Sequence, residues 1–105
     1  MFGEQEVSRT DNDYTIFRSA VFDRDHYTCL VCREYIDAKL VAHHLDGYAK
    51  HVEWRIDPNN AVTLCEDCHK RFHREYGNHN NTRQQFENWY LKEVGYVFSV
   101  ASIPF

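Results

Sequence analysis

Two rhythms of apolar and polar positions run through the chain. Residues 1–12 are polar, without periodicity, and read as a loose lead-in to a core over residues 13–94. From Asp13 onward, Tyr14, Phe17, Ala20 and Val21 recur at helical spacing, which predicts a helix capped by Asp11 or Asp13 and ending near Asp25 and His26. Residues 27–32 are expected to form a strand that bends into a tight turn, and after a charged turn residues 39–45 again have strand composition. Residues 46–60 are irregular and end on Asp57-Pro58-Asn59-Asn60, a strong turn signal. The short β-type run 61–64 predicts a second strand. A helix is expected from about Cys68 to Tyr76, stopped by Gly77. Thr82 and Gln85 stand at capping-box spacing and open a last helix whose Phe86, Trp89 and Tyr90 fall on one side, with Gly95 ending it. Residues 95–105 form an apolar tail. The pattern is α+β, one domain over residues 1–105, without internal repeats.

Composition changes this picture in two ways. A domain of 105 residues leaves about a third of its unfolded surface uncovered, so a structural metal would contribute much to its stability. No apolar run approaches the ~20 residues of a membrane span, and Met1-Phe2-Gly3-Glu4 does not begin a signal peptide, so a cytoplasmic protein is expected. The net charge of −4 argues against a nucleic-acid partner. Its distribution softens the objection, because Lys70, Arg71, Arg74 and Arg83 gather near two histidines, and Arg55 sits in the loop between the strands. These five are candidates for phosphate contacts, with a solvated charged surface as the alternative. His51 and His79 read as surface residues, and Trp54 as core cover or a base-stacking ring.

The chemistry concentrates in Cys65-Glu66-Asp67-Cys68-His69-Lys70-Arg71-Phe72-His73. Cys29-x-x-Cys32 and Cys65-x-x-Cys68 are two metal knuckles, and four thiolates suit one tetrahedral zinc; disulfides are the alternative, disfavoured in a reducing compartment. His69 and His73 lie four positions apart, on one helix face, and can grip a second ion. His43 and His44 are adjacent on a strand and point to opposite faces, so one can bind metal while the other works at the edge of the site.

His43-His44, Asn60 followed by residues 61–69, and His73 together resemble the motif of the HNH nucleases, in the branch with four zinc-binding cysteines found among phage-type and homing-type members. Residues 17–25 and 27–29, and residues 72–77 with 80–82, are also similar to that branch, so the resemblance spans roughly residues 17–90. It implies a small zinc-stapled ββα-metal core with flanking helices, and a nuclease that hydrolyses DNA with one divalent ion (Mg2+, Mn2+, Ni2+ or Zn2+). By position, His43 takes a metal-ligand place, His44 the general-base place, Asn60 the central asparagine place, and His69 and His73 the helix places, where some members use both as ligands and others one. Asn60 or a backbone acceptor would set the tautomer of His44. The acidic charge and the small size depart from the pattern. They suggest weak specificity or a protein partner such as phage packaging machinery, with the nuclease a monomer or homodimer. Two rivals stand beside this reading: a non-cleaving zinc-stapled DNA- or protein-binding module, and a cysteine-based redox protein.

Overall fold

The computed structural model describes residues 11–33, 39–46, 55–95 and 97–98. The expectations for residues 1–10, for His51 and Trp54, and for the tail beyond residue 98 lie outside these. Helix α1, Asp11–Arg24, begins two residues before the expected Asp13. It buries Phe17, Val21 and Phe22, whereas Tyr14 is 37% exposed and Ala20 faces out. The buried stripe is therefore narrower than the sequence suggests, because one edge of the helix is left over for solvent.

His26 and Tyr27 then both adopt left-handed backbone, φ 58° and 53°, and Tyr27 N–H turns back to Phe22 O at 2.8 Å. Two successive left-handed residues cannot extend a strand. The strand expected over residues 27–32 is instead an isolated bridge at Thr28 followed by turns, tied to the second strand by Leu30 N–H on Thr63 O at 3.1 Å.

Strands β1, Leu40–His44, and β2, Ala61–Cys65, pair antiparallel, with His43 opposite Val62 and His44 opposite Ala61. Every residue of β2 is buried, Thr63 included. A single 3-10 turn at Pro58–Asn60 precedes it, with Asp57 Oδ1 accepting from Asn59 N–H at 2.9 Å. Helix α2, Glu66–Tyr76, follows β2 without a loop. It starts ahead of the expected Cys68 because Cys65 is itself the N-cap, its Sγ accepting from Cys68 N–H at 3.4 Å. Helix α3, Arg83–Val94, opens on the expected capping box of Thr82 and Gln85 and ends at a left-handed Gly95. Phe72, Phe86, Trp89, Tyr90 and Phe98 close an aromatic core.

One buried ion pair fastens α1 to this frame. Asp25, fully buried, accepts from Thr63 N–H at 2.9 Å and from Arg24 Nε and Nη2 at 2.7 and 2.8 Å. Arg24 also donates to Pro58 O and Ala61 O, at 2.9 and 2.8 Å. Truncating Arg24 strands a carboxylate in the core, so Arg24→Ala should lower stability by about 3–5 kcal/mol. Urea titration of the zinc-loaded protein measures this, and a loss under about 1 kcal/mol would reduce the pair to a surface contact.

Candidate metal centres and active-site cleft

The two knuckles meet where the turn at Cys29 and Cys32 packs against the junction of β2 and α2. All four Sγ atoms lie within 4.8 Å of one another, and Cys32 and Cys65 are 3.7 Å apart. A tetrahedron with Zn–S of ~2.3 Å has edges of about 3.8 Å, whereas a disulfide needs ~2.05 Å. The thiols are free, with Cys29, Cys65 and Cys68 buried and Cys32 exposed. Burial and the neighbouring cysteine charges push the Cys68 thiol far up. Burial acts the same way on Cys29, but backbone N–H groups, those of Cys32 and Cys65 foremost, bring it down overall. A divalent cation relieves that conflict, and the donor set fits zinc. Arg71 Nη1 reaches Cys68 Sγ at 3.9 Å while its guanidinium is ion-paired with Glu93.

The second cluster forms across the sheet. His43, opposite Val62, points to the α2 side, and its ring stands 5.2 Å from that of His69 and 5.6 Å from that of His73. One nitrogen from each of the three lies within 4.8 Å of the others, and His69 Nε2 and His73 Nε2 are 2.9 Å apart. His73 Nδ1–H donates to Gly77 O at 2.7 Å, which leaves Nε2 as the lone-pair nitrogen. Among the buried side-chain nitrogens and oxygens of the described residues, His43 Nε2 is the one without a hydrogen-bond partner. An orphaned nitrogen beside two convergent ones fits a cation. Burial, followed by repulsion from neighbouring rings, holds His43 well below the ordinary histidine value and brings His69 down to about 4. These two rings therefore stay neutral where exposed imidazole would be charged.

His44 sits on the opposite side of β1. Its ring stacks on Phe17 at 5.1 Å and 13°, and its Nε2 meets Arg55 O at 2.9 Å. A carbonyl can only accept, so Nε2 carries the proton and Nδ1 is the basic nitrogen. Burial lowers the pKa of His44, the bond to Arg55 O opposes this, and the Arg55 charge lowers it further. The tautomer-setting acceptor is thus a backbone carbonyl of the loop rather than Asn60. Asn60 instead braces the chain after His44: its Oδ1 accepts from Asp46 N–H at 3.0 Å, its Nδ2 donates to Asp46 O at 3.3 Å, and its own carbonyl accepts from Leu45 N–H at 2.8 Å.

His43, His44, His69 and His73 all line one cleft of about 460 Å³, walled by Tyr14 on one side and residues 78–81 on the other. His79 is exposed, as expected of a surface residue, but it belongs to this wall. A second groove, lined by Lys70, Arg74 and Asn78, adjoins it through His69 and His73. Arg71 faces Glu93 and the cysteines instead, and Arg83 pairs with Glu87 at 3.4 Å beside a separate recess at Asp46 and Asp57. Arg55 comes within electrostatic reach of His44. Phe17 and Tyr14 are legible in the sequence only as helix-face residues, because nothing in their spacing announces a ring beneath a histidine.

A ββα unit with a four-thiol centre on one side and a three-imidazole centre on the other defines a metal-binding domain of α+β class. Residues 29–76 match the HNH endonuclease family. The chain is also similar to Anaredoxin of Nostoc sp., 36% identical over 50 residues that make up 48% of this chain and 62% of that protein. The chain thus spans somewhat under two thirds of the length of that relative. No solved structure matches it. No helix of the described residues is long and apolar enough to cross a membrane.

Proposed function

We propose that the protein is an endonuclease that hydrolyses DNA phosphodiester bonds with one divalent ion held by His43, His69 and His73, and His44 as the general base. The observation that carries this reading is the division of the two adjacent histidines: His43 has a buried, unpartnered Nε2 and joins His69 and His73 in one cluster of ring nitrogens, while His44 has its Nε2–H held by Arg55 O. That bond leaves Nδ1 as the basic nitrogen, the one that would take a proton from water. Phe17, stacked on the ring, limits its rotation. A bound divalent ion would polarise the phosphate and stabilise charge on the leaving oxygen. Three imidazoles without a carboxylate suit Ni2+ or Zn2+ better than Mg2+ or Mn2+.

The test is incubation of supercoiled plasmid with zinc-loaded protein in each of these ions and in EDTA. Cleavage with the nitrogen-preferring ions and none in EDTA is expected; a folded protein that cuts in no ion would favour the rival non-cleaving binding module. A thiol-based redox protein, which the name Anaredoxin brings to mind, is disfavoured by four thiols disposed like the corners of a tetrahedron. Thiol titration with and without chelator separates the two.

Lys70 and Arg74 line the groove that adjoins the imidazole centre, which supports a role in holding a neighbouring phosphate. Lys70→Glu with Arg74→Glu should weaken binding on all DNA sequences alike and flatten the salt slope by about 2. Arg71→Gln, on the Glu93 side, should leave that slope unchanged. Anisotropy titrations between low and physiological salt read both, and equal slopes throughout would return Lys70 and Arg74 to plain surface.

A further inference from the structure

We propose that Asn81 is a positioning residue for His73, fixing the carbonyl that holds this metal ligand. The inference rests on the reading of His43, His69 and His73 as a metal site. Helix α2 ends on Gly77, whose φ of 84° and ψ of 177° belong to a region open almost only to glycine. This differs from the left-handed end seen at Gly95, φ 90° and ψ 3°. The unusual ψ turns the Gly77 carbonyl back to meet His73 Nδ1–H at 2.7 Å. A Cβ at Gly77 would meet nothing within 4 Å, so the glycine is there for its backbone angles and not for want of space.

A carbonyl in so permissive a conformation needs a second hold, and Asn81 supplies it. The chain passes through a left-handed Asn80, φ 55°, and returns Asn81 beneath the end of α2. There Asn81 is 7% exposed. Its Nδ2 donates to Gly77 O at 3.2 Å and lies 3.4 Å from Tyr76 O and 3.3 Å from Gln85 Oε1. Both lone pairs of the Gly77 carbonyl are then engaged, one by His73 and one by Asn81. The same Gln85 oxygen accepts from Thr82 N–H at 3.0 Å, so a line of hydrogen bonds runs from the imidazole centre to the cap of α3. With Asn81 in place, His73 keeps the Nδ1–H tautomer and presents Nε2 toward His69 and His43 before any ion arrives. Without it the carbonyl swings, the ring loses its hold, and ordering it must accompany binding.

The alternative is that Asn81 merely caps α2, which would affect stability and leave ion affinity alone. Calorimetric titration of the folded, zinc-loaded protein with Ni2+ separates the two, with melting temperature recorded alongside. Asn81→Ala is expected to weaken Ni2+ binding about tenfold, the lower end for loss of an outer partner of a ligating histidine. Asn81→Ser, which keeps a shorter donor, should fall between it and the wild type. Gln85→Leu, which removes the side-chain half of the α3 capping box but not the bond to Gly77, should lower the melting temperature with less than twofold change in affinity. In the His73→Ala background, Asn81→Ala should cause no further loss, because the residue acts through the ring that has been removed. Unchanged affinity in a folded Asn81→Ala protein, an equal loss in both backgrounds, or failure of both Asn81 variants to fold would each overturn the proposal. Absence of Ni2+ binding by the wild-type protein would instead overturn the metal site itself.

Discussion

Removing the ion from the four-cysteine centre is expected to unfold the domain. Structural zinc in small domains contributes on the order of 10–16 kcal/mol of apparent binding free energy, as much as the whole stability of a typical domain. Here the reason is local. The segment carrying Cys29 and Cys32 has left-handed residues at His26, Tyr27 and Arg33, and Leu30 N–H on Thr63 O is its backbone bond to the second strand. Four thiols brought within 4.8 Å of one another repel when ionised, and three of them are buried. Elemental analysis should find about one tightly held zinc per chain. Cys29→Ser and Cys68→Ser should abolish the cooperative thermal transition or lower it steeply. Cys32→Ser should be milder, because its exposed place can be taken by water. Zinc-free protein that melts like the loaded form would show that the cluster does not hold the fold.

The features legible in the sequence are those of local chemistry with a set spacing. Cys65 and Cys68, His69 and His73, and Thr82 and Gln85 each act within a single turn of helix, where sequence separation sets distance. Strand alternation sets the opposite directions of His43 and His44 in the same way. Residues 27–32 behave otherwise, for their β-type composition is overruled by two left-handed residues that direct the knuckle toward β2. Partners distant in sequence are not legible. The hold on His44 comes from a backbone carbonyl, and a carbonyl has no residue identity to recognise. Arg71 stands among basic neighbours in the chain, yet its charge is directed to Glu93 on another helix. Arg24 and Asp25 look like an ordinary helix end until Thr63 and Ala61 are brought against them. Asn81 reads as one polar hinge residue among several, and its role becomes visible when Gly77 turns its carbonyl inward.

The largest effect on activity is expected at the two adjacent histidines of β1, which should fail in different ways. His44→Ala should lower plasmid cleavage by about 10²–10⁴-fold, the usual contribution of a positioned general base, while ion affinity and DNA binding stay near wild type. Its ring packs on Phe17 and bonds to Arg55 O, away from the nitrogens of the imidazole centre. His43→Ala and His69→Ala should instead weaken the ion, so that raising its concentration recovers part of the activity. His73→Ala should join them, since its Nε2 stands 2.9 Å from that of His69. The pH profile follows from the same geometry. Burial and the nearby Arg55 charge lower His44 from the ordinary 6.5, and a lowered pKa keeps the imidazole neutral to a more acid pH. Cleavage should therefore persist as pH falls through 6.5 and fail only below it, where the ring gains a proton and can no longer accept one from water. Plasmid cleavage by the four variants across an ion titration and a pH series, with calorimetry for ion binding, measures all of this. Wild-type cutting by His44→Ala, or a loss of ion from it as severe as from His43→Ala, would show that the two histidines do not divide the work between them.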